Sequence, residues 1–226
     1  HRSNFFMEGF VDAPPTGEIA ALARRKRVPF VEDLGSGALF QTESIGGLEH
    51  EPTPAEVLKA GTDLVCFSGD KLMGGPQAGV IAGRAKHVRA LKRDPFFRAL
   101  RCDKLILSGL QATAELELNN LSGQAHVESP VMVHQLLRTE LSSLKKRASR
   151  LAKSLASPAL DVKILTSQAQ VGGGTLPRSE VDSIALALKP KNGTARELAG
   201  RLRESTPPVI GTIANGRVQL DLRTVF

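Results

Sequence analysis

The chain reads as an α/β protein whose second half becomes a smaller α+β unit, and three observations predict this. Short apolar runs at 28–34, 64–68 and 79–82 alternate with segments of helical spacing, the pattern of a sheet covered by helices. A long stretch at 131–155 then repeats apolar residues at helical intervals, from Val133, Leu136 and Leu137 to Leu151 and Leu155. Beyond it, runs at 162–165, 184–188, 209–213 and 218–222 crowd together, the last two around Asn215-Gly216. Asn-Gly between apolar runs is the strongest short hairpin signal.

The elements follow in order. Pro14-Pro15 opens a helix over 16–27, which feeds the strand at 28–34. Thr53 is positioned as N-cap of a helix at 54–61 and Gly61 as its stop. The strands at 64–68 and 79–82 flank a glycine-rich turn. A helix at 85–93 halts near Pro95, and another at 104–118 carries Leu105, Leu107, Leu110, Leu116 and Leu118. The helix at 131–155 ends before Pro158. Thr194 caps a helix at 194–203. Gly172-Gly173-Gly174 is a loop with no helix N-terminus behind it, which argues against a phosphate cradle. No internal repeat or low-complexity segment is visible.

Composition bounds the function. With 226 residues, 30 Lys and Arg against 23 Asp and Glu, the net charge is +7 and the pI about 9.7. That balance suits an anionic partner such as tRNA, although Arg24-Arg25-Lys26-Arg27 and Lys145-Lys146-Arg147 read as solvated helix faces. Phe is the sole aromatic type, so a basic platform with interleaved aromatics for stacking on single-stranded RNA is excluded. Two cysteines support neither a disulfide framework nor a zinc site. Cys66 reads as core, and Cys102 as packing rather than as an activated thiol. No metal site is expected. With no signal peptide and no apolar run of membrane length, the parent protein is expected to be cytoplasmic, with no membrane partner.

Lys71 carries the chemistry. It follows the apolar run Asp63-Leu64-Val65-Cys66-Phe67, and Gly69, Gly74 and Gly75 surround it, letting the backbone approach a ligand closely. Enzymes that use pyridoxal 5′-phosphate (PLP) hold it as a Schiff base on such a lysine. The pyridine nitrogen of PLP needs an acidic partner, and the run Val28-Pro29-Phe30-Val31-Glu32-Asp33 ends in carboxylates. Asp33 fits; strand alternation turns Glu32 to the other face. Gly35-x-Gly37 is not a dinucleotide fingerprint, because Phe40 stands where the third glycine is needed. Taken alone, each feature also reads blandly, as a surface lysine or a turn-capping acid.

The motifs together resemble bacterial selenocysteine synthases, the PLP-dependent L-seryl-tRNA(Sec) selenium transferases. The resemblance rests on His1-Arg2-Ser3-Asn4-Phe5 with Gly9-Phe10, Glu32-Asp33-Leu34-Gly35-Ser36-Gly37 and the long run from Phe67 through Lys71 to Gly79. It continues through Arg98-Ala99-Leu100-Arg101-Cys102-Asp103-Lys104, Val171-Gly172-Gly173-Gly174, Pro207-Pro208-Val209-Ile210-Gly211 and Leu220-Asp221-Leu222-Arg223-Thr224.

The resemblance implies the aspartate-aminotransferase-like fold type I. Residues 1–130 are expected to form the later part of the PLP-binding large domain, 131–157 a linking helix and 158–226 the small α+β domain. Members are about twice as long, so the chain is expected to lack the N-terminal tRNA-binding part and, as an isolated piece, to be inactive. The implied reaction converts seryl-tRNA(Sec) to selenocysteinyl-tRNA(Sec) through an aminoacrylyl intermediate, with selenophosphate as donor, in a homo-oligomeric ring of dimers.

Residue positions and the resemblance together assign roles. Lys71 holds PLP, Asp33 binds its nitrogen, and Ser68 bonds the cofactor phosphate. Asp70 takes part in proton transfer or is a turn acid, and His1 stacks on the cofactor. Arg98 and Arg101, on one helix face with Lys104 a turn on, grip the selenium donor; their bland reading is a solvated stripe. Thr212 stands where relatives often have Arg. Two alternatives remain: a PLP lyase or aminotransferase for a small amino acid without tRNA, and a basic RNA-binding scaffold with a decayed site.

Overall fold

The computed structural model describes residues 1, 3, 5–121 and 131–225. Arg2 and Asn4 of the first resembling segment, and the domain boundary expected at residue 130, lie outside them. The chain divides into two compact units, His1–Gln135 with Val171–Ser179, and Leu136–Gln170 with the residues from Glu180 onward.

The first unit holds α1 (Thr16–Lys26), β1 (Val31–Gly35), a 3-10 turn (Thr42–Ser44), α2 (Pro54–Ala60), β2 (Leu64–Ser68), β3 (Gly79–Gly83), α3 (Ala85–Arg93), α4 (Pro95–Leu100) and α5 (Lys104–Leu121). Its sheet runs β1-β2-β3, with β2 parallel to β1 and antiparallel to β3. A parallel pair needs a crossover, and α2 lies on it. Thr53 accepts from Glu56 N–H while Glu56 returns a bond to Thr53 N–H, a complete capping box that starts α2. Leu34, Val57, Val65, Phe67 and Met73 form the core. The β1–β2 register slips between Asp33 and Gly35, so Asp33 pairs with Cys66 and Gly35 with Phe67. The parallel pair therefore ends irregularly, at the residues that carry the predicted chemistry.

A further helix, α6 (Met132–Arg138), follows in sequence. The second unit contains α7 (Leu141–Leu155), β4 (Leu160–Gln170), β5 (Glu180–Pro190), α8 (Ala195–Arg203), β6 (Thr212–Ala214) and β7 (Arg217–Asp221), in an antiparallel sheet ordered β4-β5-β7-β6. Leu144 and Ala148 of α7 and Ala199 of α8 pack on Ile184, Leu186, Leu188, Val218 and Leu220 of the sheet. The alternate strand positions point inward, as the pleat requires. Asn215 (φ 52°) and Gly216 (φ 67°) make the expected two-residue hairpin, and Thr194 and Glu197 form a second capping box.

In the second unit β4 and β5 run well beyond the expected 162–165 and 184–188, and β6 begins at Thr212 rather than 209; three further departures have identifiable causes. The first strand begins at Val31 rather than 28, because Val28 N–H still bonds the α1 carbonyl of Ala23 and Phe30 N–H is taken by the Asp63 carboxylate. The expected single helix over 131–155 is two helices. Buried Arg223 donates to the carbonyls of Leu136, Leu137 and Thr139, and also to that of Asp182, so the chain leaves the helix after Arg138 and restarts at Leu141. Third, the helix expected to carry both Arg98 and Arg101 on one face is the short α4, which stops at Leu100. Pro95 at its first turn and the Asp94 carboxylate on Phe96 N–H start it. Among the described residues no helix is long and apolar enough to cross a membrane.

Arg223→Ala is expected to destabilise the protein by about 3 kcal/mol or more, since each buried carbonyl left unsatisfied costs about 1–3 kcal/mol. Arg223→Lys should recover only part, having no planar fork to reach several carbonyls at once. Denaturant midpoints at unchanged slope check this.

Candidate active site

Lys71 sits at the start of a tightly closed turn. Gly69 N–H bonds Ala78 O at 2.8 Å, Gly75 N–H bonds Gly69 O at 2.8 Å, and Gly74 N–H bonds Lys71 O at 2.9 Å. The next residue, Leu72, is fully buried and held through both backbone groups. Its N–H donates to Ser36 O at 3.0 Å, and its carbonyl accepts from His134 Nε2 at 2.8 Å. That bond makes Nε2 the protonated ring nitrogen of His134, while Nδ1 lies 3.3 Å from Glu117 Oε1.

The Lys71 side chain is half-buried. Its Nζ donates to Ser3 Oγ at 3.3 Å, and Ser3 Oγ lies 2.7 Å from His1 Nδ1. Ser3 N–H also points at Nδ1, 3.3 Å away, so Nδ1 acts as acceptor and the Ser3 hydroxyl donates to it. The ammonium, the hydroxyl and the imidazole thus form one directed chain. Two glycines make room for it. A Cβ on Gly35 would meet the His1 ring, and one on Gly174 would fall 3.3 Å from Lys71 Cε. Gly174 of the glycine loop at 172–174 therefore lies beside the lysine.

Next to this chain opens a cavity of about 520 Å³, walled in part by His1, Asp33, Glu49, His50, Glu51 and Arg178. Asp33 is exposed on that wall. Glu32 lines the same cavity, against the division between faces expected from strand alternation; what sets it apart from Asp33 is that both its oxygens are occupied, accepting from the hydroxyls of Thr16 at 3.0 Å and Thr62 at 3.1 Å. Burial pushes the Cys66 thiol up, and the facing Asp33 charge adds to the shift. Arg178 bridges Glu8 and Glu49 and lies over the Phe6 ring. At the rim the Glu43 hydrogen bond raises the His50 imidazole above its usual value.

The other predicted residues stand as follows. Ser68 ends β2, paired with Gly79, and is half-buried. Asp70 is exposed and turned out of the Lys71–Ser3–His1 chain, with no hydrogen bond among the described residues to bring it back; the turn conformation at Gly69-Asp70 separates two residues that a regular strand would also have split. Arg98 and Arg101 do not share a helix face. Arg101 lies past the end of α4 in extended conformation (φ −64°, ψ 143°), and both side chains are exposed. Thr212 starts β6, in the second unit.

Sequence reasoning passed over Ser3, Ser36, Glu51 and His134. Ser36, a small polar residue between two glycines of positive φ, was legible as a turn but not as a ligand of Leu72. Glu51 and His134 had no local signal, because loop or helix residues far away in sequence were brought in by the fold.

A model of SelA, L-seryl-tRNA selenium transferase, matches residues 1–226. The chain belongs to the L-seryl-tRNA selenium transferase family. It is 41% identical over its whole length to the L-seryl-tRNA(Sec) selenium transferase of Desulfovibrio desulfuricans and 42% identical to that of Hyphomonas neptunium, covering 48% of each. The chain thus spans about half the length of the curated relatives it matches. Among solved structures it resembles D-glucosaminate-6-phosphate ammonia-lyase, with a TM-score of 0.53 at 16% identity over 98% of this chain and 50% of that one. At such identity the likeness speaks for fold alone, and that fold is type I of the PLP-dependent enzymes. Family and fold together imply PLP as cofactor. The residues fit it: a lysine amine bonded to Ser3, a carboxylate at the sheet end, and an imidazole ring packed so close to Gly35 that no Cβ would fit there.

Gly37 and Gly174 both have positive φ, so alanine at either is expected to cost about 1–3 kcal/mol. A Cβ on Gly37 would also run into the Ser68 carbonyl oxygen, which is backbone, whereas at Gly174 it meets only the Lys71 side chain. Gly37→Ala should therefore lower the thermal midpoint more, and Gly174→Ala should instead alter the labelling rate of Lys71 by an amine-reactive reagent.

Proposed function

We propose that the whole protein carrying this chain converts seryl-tRNA(Sec) to selenocysteinyl-tRNA(Sec), with selenophosphate as the selenium donor, and that this chain supplies the cofactor lysine. Family membership across residues 1–226 supports the reaction. The observation that supports it locally is Lys71, next to the doubly held Leu72 and linked through Ser3 to His1, which lines one cavity with Asp33.

When bound, PLP supplies an electron sink for the bond-breaking at the seryl α-carbon. Lys71 holds the cofactor and afterwards moves the α-proton. Asp33 keeps a proton on the pyridine nitrogen. Ser3 and His1 orient the Lys71 amine and give its proton a path, from Nζ to Oγ and from Oγ to Nδ1. Ser68 contributes to the phosphate site. Asp70, being exposed, serves the turn rather than the proton transfer.

Arg98 and Arg101 remain the proposed contacts of the oxyanionic selenium donor. Their support is the family resemblance and not a shared face. The ring-of-dimers assembly has the same footing, as does the net charge of +7 toward tRNA. A small-amino-acid lyase is the second reading, favoured only by a fold shared with an ammonia-lyase.

Borohydride reduction of the whole protein followed by peptide mapping is expected to place a pyridoxyl group on Lys71 and none after Lys71→Ala. A label on another lysine overturns the assignment. Asp33→Asn should keep the label and lose most turnover, while Glu32→Gln should keep both.

Arg98→Ala and Arg101→Ala should leave cofactor loading and dehydration of seryl-tRNA(Sec) intact and slow selenium transfer. The expected loss is about tenfold each, the scale of a single charge-assisted hydrogen bond. Following the two half-reactions separately checks this. Turnover of free serine with no dependence on tRNA would favour the lyase reading.

A further inference from the structure

Glu51 is a carboxyl group that none of the assigned roles uses. It stands on the cavity wall with Asp33 and His1, two residues before the Thr53 cap of α2. Its position is built, not incidental. The backbone N–H of Glu51 donates to Thr42 Oγ1 at 2.8 Å, and Thr42 is fully buried. Its Oε1 accepts from Ser36 Oγ at 2.5 Å, and Ser36 is fully buried as well. The carbonyl of that same Ser36 receives Leu72 N–H. One serine thus ties the Glu51 carboxyl and the Lys71 turn to a common point. Among the described residues no donor reaches Glu51 Oε2, which leaves this oxygen to the cavity.

We propose that Glu51 is the general acid that protonates the departing β-hydroxyl of the seryl group. This rests on the proposed function above. The α-proton passes to the Lys71 amine, and the released pair forms the Cα–Cβ double bond. The Cβ–O pair leaves with the oxygen, which takes the Glu51 proton and departs as water. Return of a proton from the Lys71 ammonium to the Glu51 carboxylate restores both groups, so no outside acid is consumed. Hydroxide is a poor leaving group, and a positioned acid typically contributes about 10²–10⁴-fold to such a step.

The electrostatics agree with the geometry. Burial raises the Glu51 carboxyl above its ordinary value, against the opposing pull of the Ser36 hydrogen bond, His50 and Lys71. Arg178 on the same wall is already paired with Glu8 and Glu49. A carboxyl that resists ionisation is the form a general acid needs. Asp70, the carboxylate nearest Lys71 in sequence, has no comparable setting.

The test uses the whole protein with Glu51→Gln, which keeps the size and the acceptor for Ser36 but has no acidic proton. Cofactor loading on Lys71, read by reduction and mass mapping, should match wild type. Dehydration of seryl-tRNA(Sec) should fall by about 10²–10⁴-fold. Elimination from an O-acetylseryl or β-chloroalanyl ester of the same tRNA, whose leaving groups need no proton, should stay within about tenfold of wild type, on the same scale of acid catalysis. Independently of turnover, infrared difference spectra of cofactor-free wild type minus Glu51→Gln should show a protonated-carboxyl band that persists to higher pH than the bulk of the carboxylates.

An equal loss on both classes of leaving group, or unchanged dehydration, overturns the assignment. If Glu51→Gln does not load the cofactor, Ser36→Ala decides. It should load and show the same leaving-group selectivity in weaker form, and uniform loss there overturns the proposal too. A loaded wild type that eliminates from the chloro ester but never from the seryl ester would instead refute the proposed function itself.

Discussion

The held backbone of Leu72 is the constraint on which the site depends. Its N–H is fixed by Ser36 and its carbonyl by His134, and its side chain has no exposed surface. Burying a leucine contributes about 1.5–3 kcal/mol, and two backbone bonds add about 1 kcal/mol each. Ordering one residue costs about 1–2 kcal/mol in backbone entropy alone. The anchor therefore suffices to fix Lys71 and its nearest neighbours but not the whole turn. That is why the turn closes itself a second time, with Gly69 bonded to Ala78 and Gly75 to Gly69. Lys71 can then present an amine at one place without any direct grip on its flexible stem.

The second unit solves a related problem by other means. There the irregular chain is the break between α6 and α7, and carbonyls around it accept from one buried guanidinium. Arg223 can do this because its planar fork carries several donors, and because β7 ends on Asp221. That carboxylate accepts from Ser167, Ser183 and Arg223 N–H and so holds the strand end from which Arg223 departs. In both units a polar side chain reaches backbone groups that no regular element satisfies, which is what buried irregular backbone demands.

Charge in the cavity is mixed. Glu32, Asp33, Glu49 and Glu51 share its wall with His50 and Arg178, whereas many of the basic residues lie on helix surfaces, as at the end of α1. A net positive charge favours long-range attraction of anions in general, but the wall of the cavity does not share that sign.

Much of this was readable in the chain itself. The strands at 64–68 and 79–82, the capping boxes begun by Thr53 and Thr194, and the Asn215-Gly216 hairpin all follow from short-range rules. Caps, turns and alternation act within a few residues and need no tertiary context. The family was legible too, because its motifs are contiguous runs. Tertiary structure alone decided the rest. It split the helix expected over 131–155, since the carbonyl acceptors there are claimed by Arg223, more than eighty positions away in sequence. It also placed Arg101 outside α4 and Asp70 in solvent, and it brought Ser3, Ser36, Glu51 and His134 to the lysine. Those outcomes depend on which buried polar groups find partners across the fold, and no local pattern of residues encodes that.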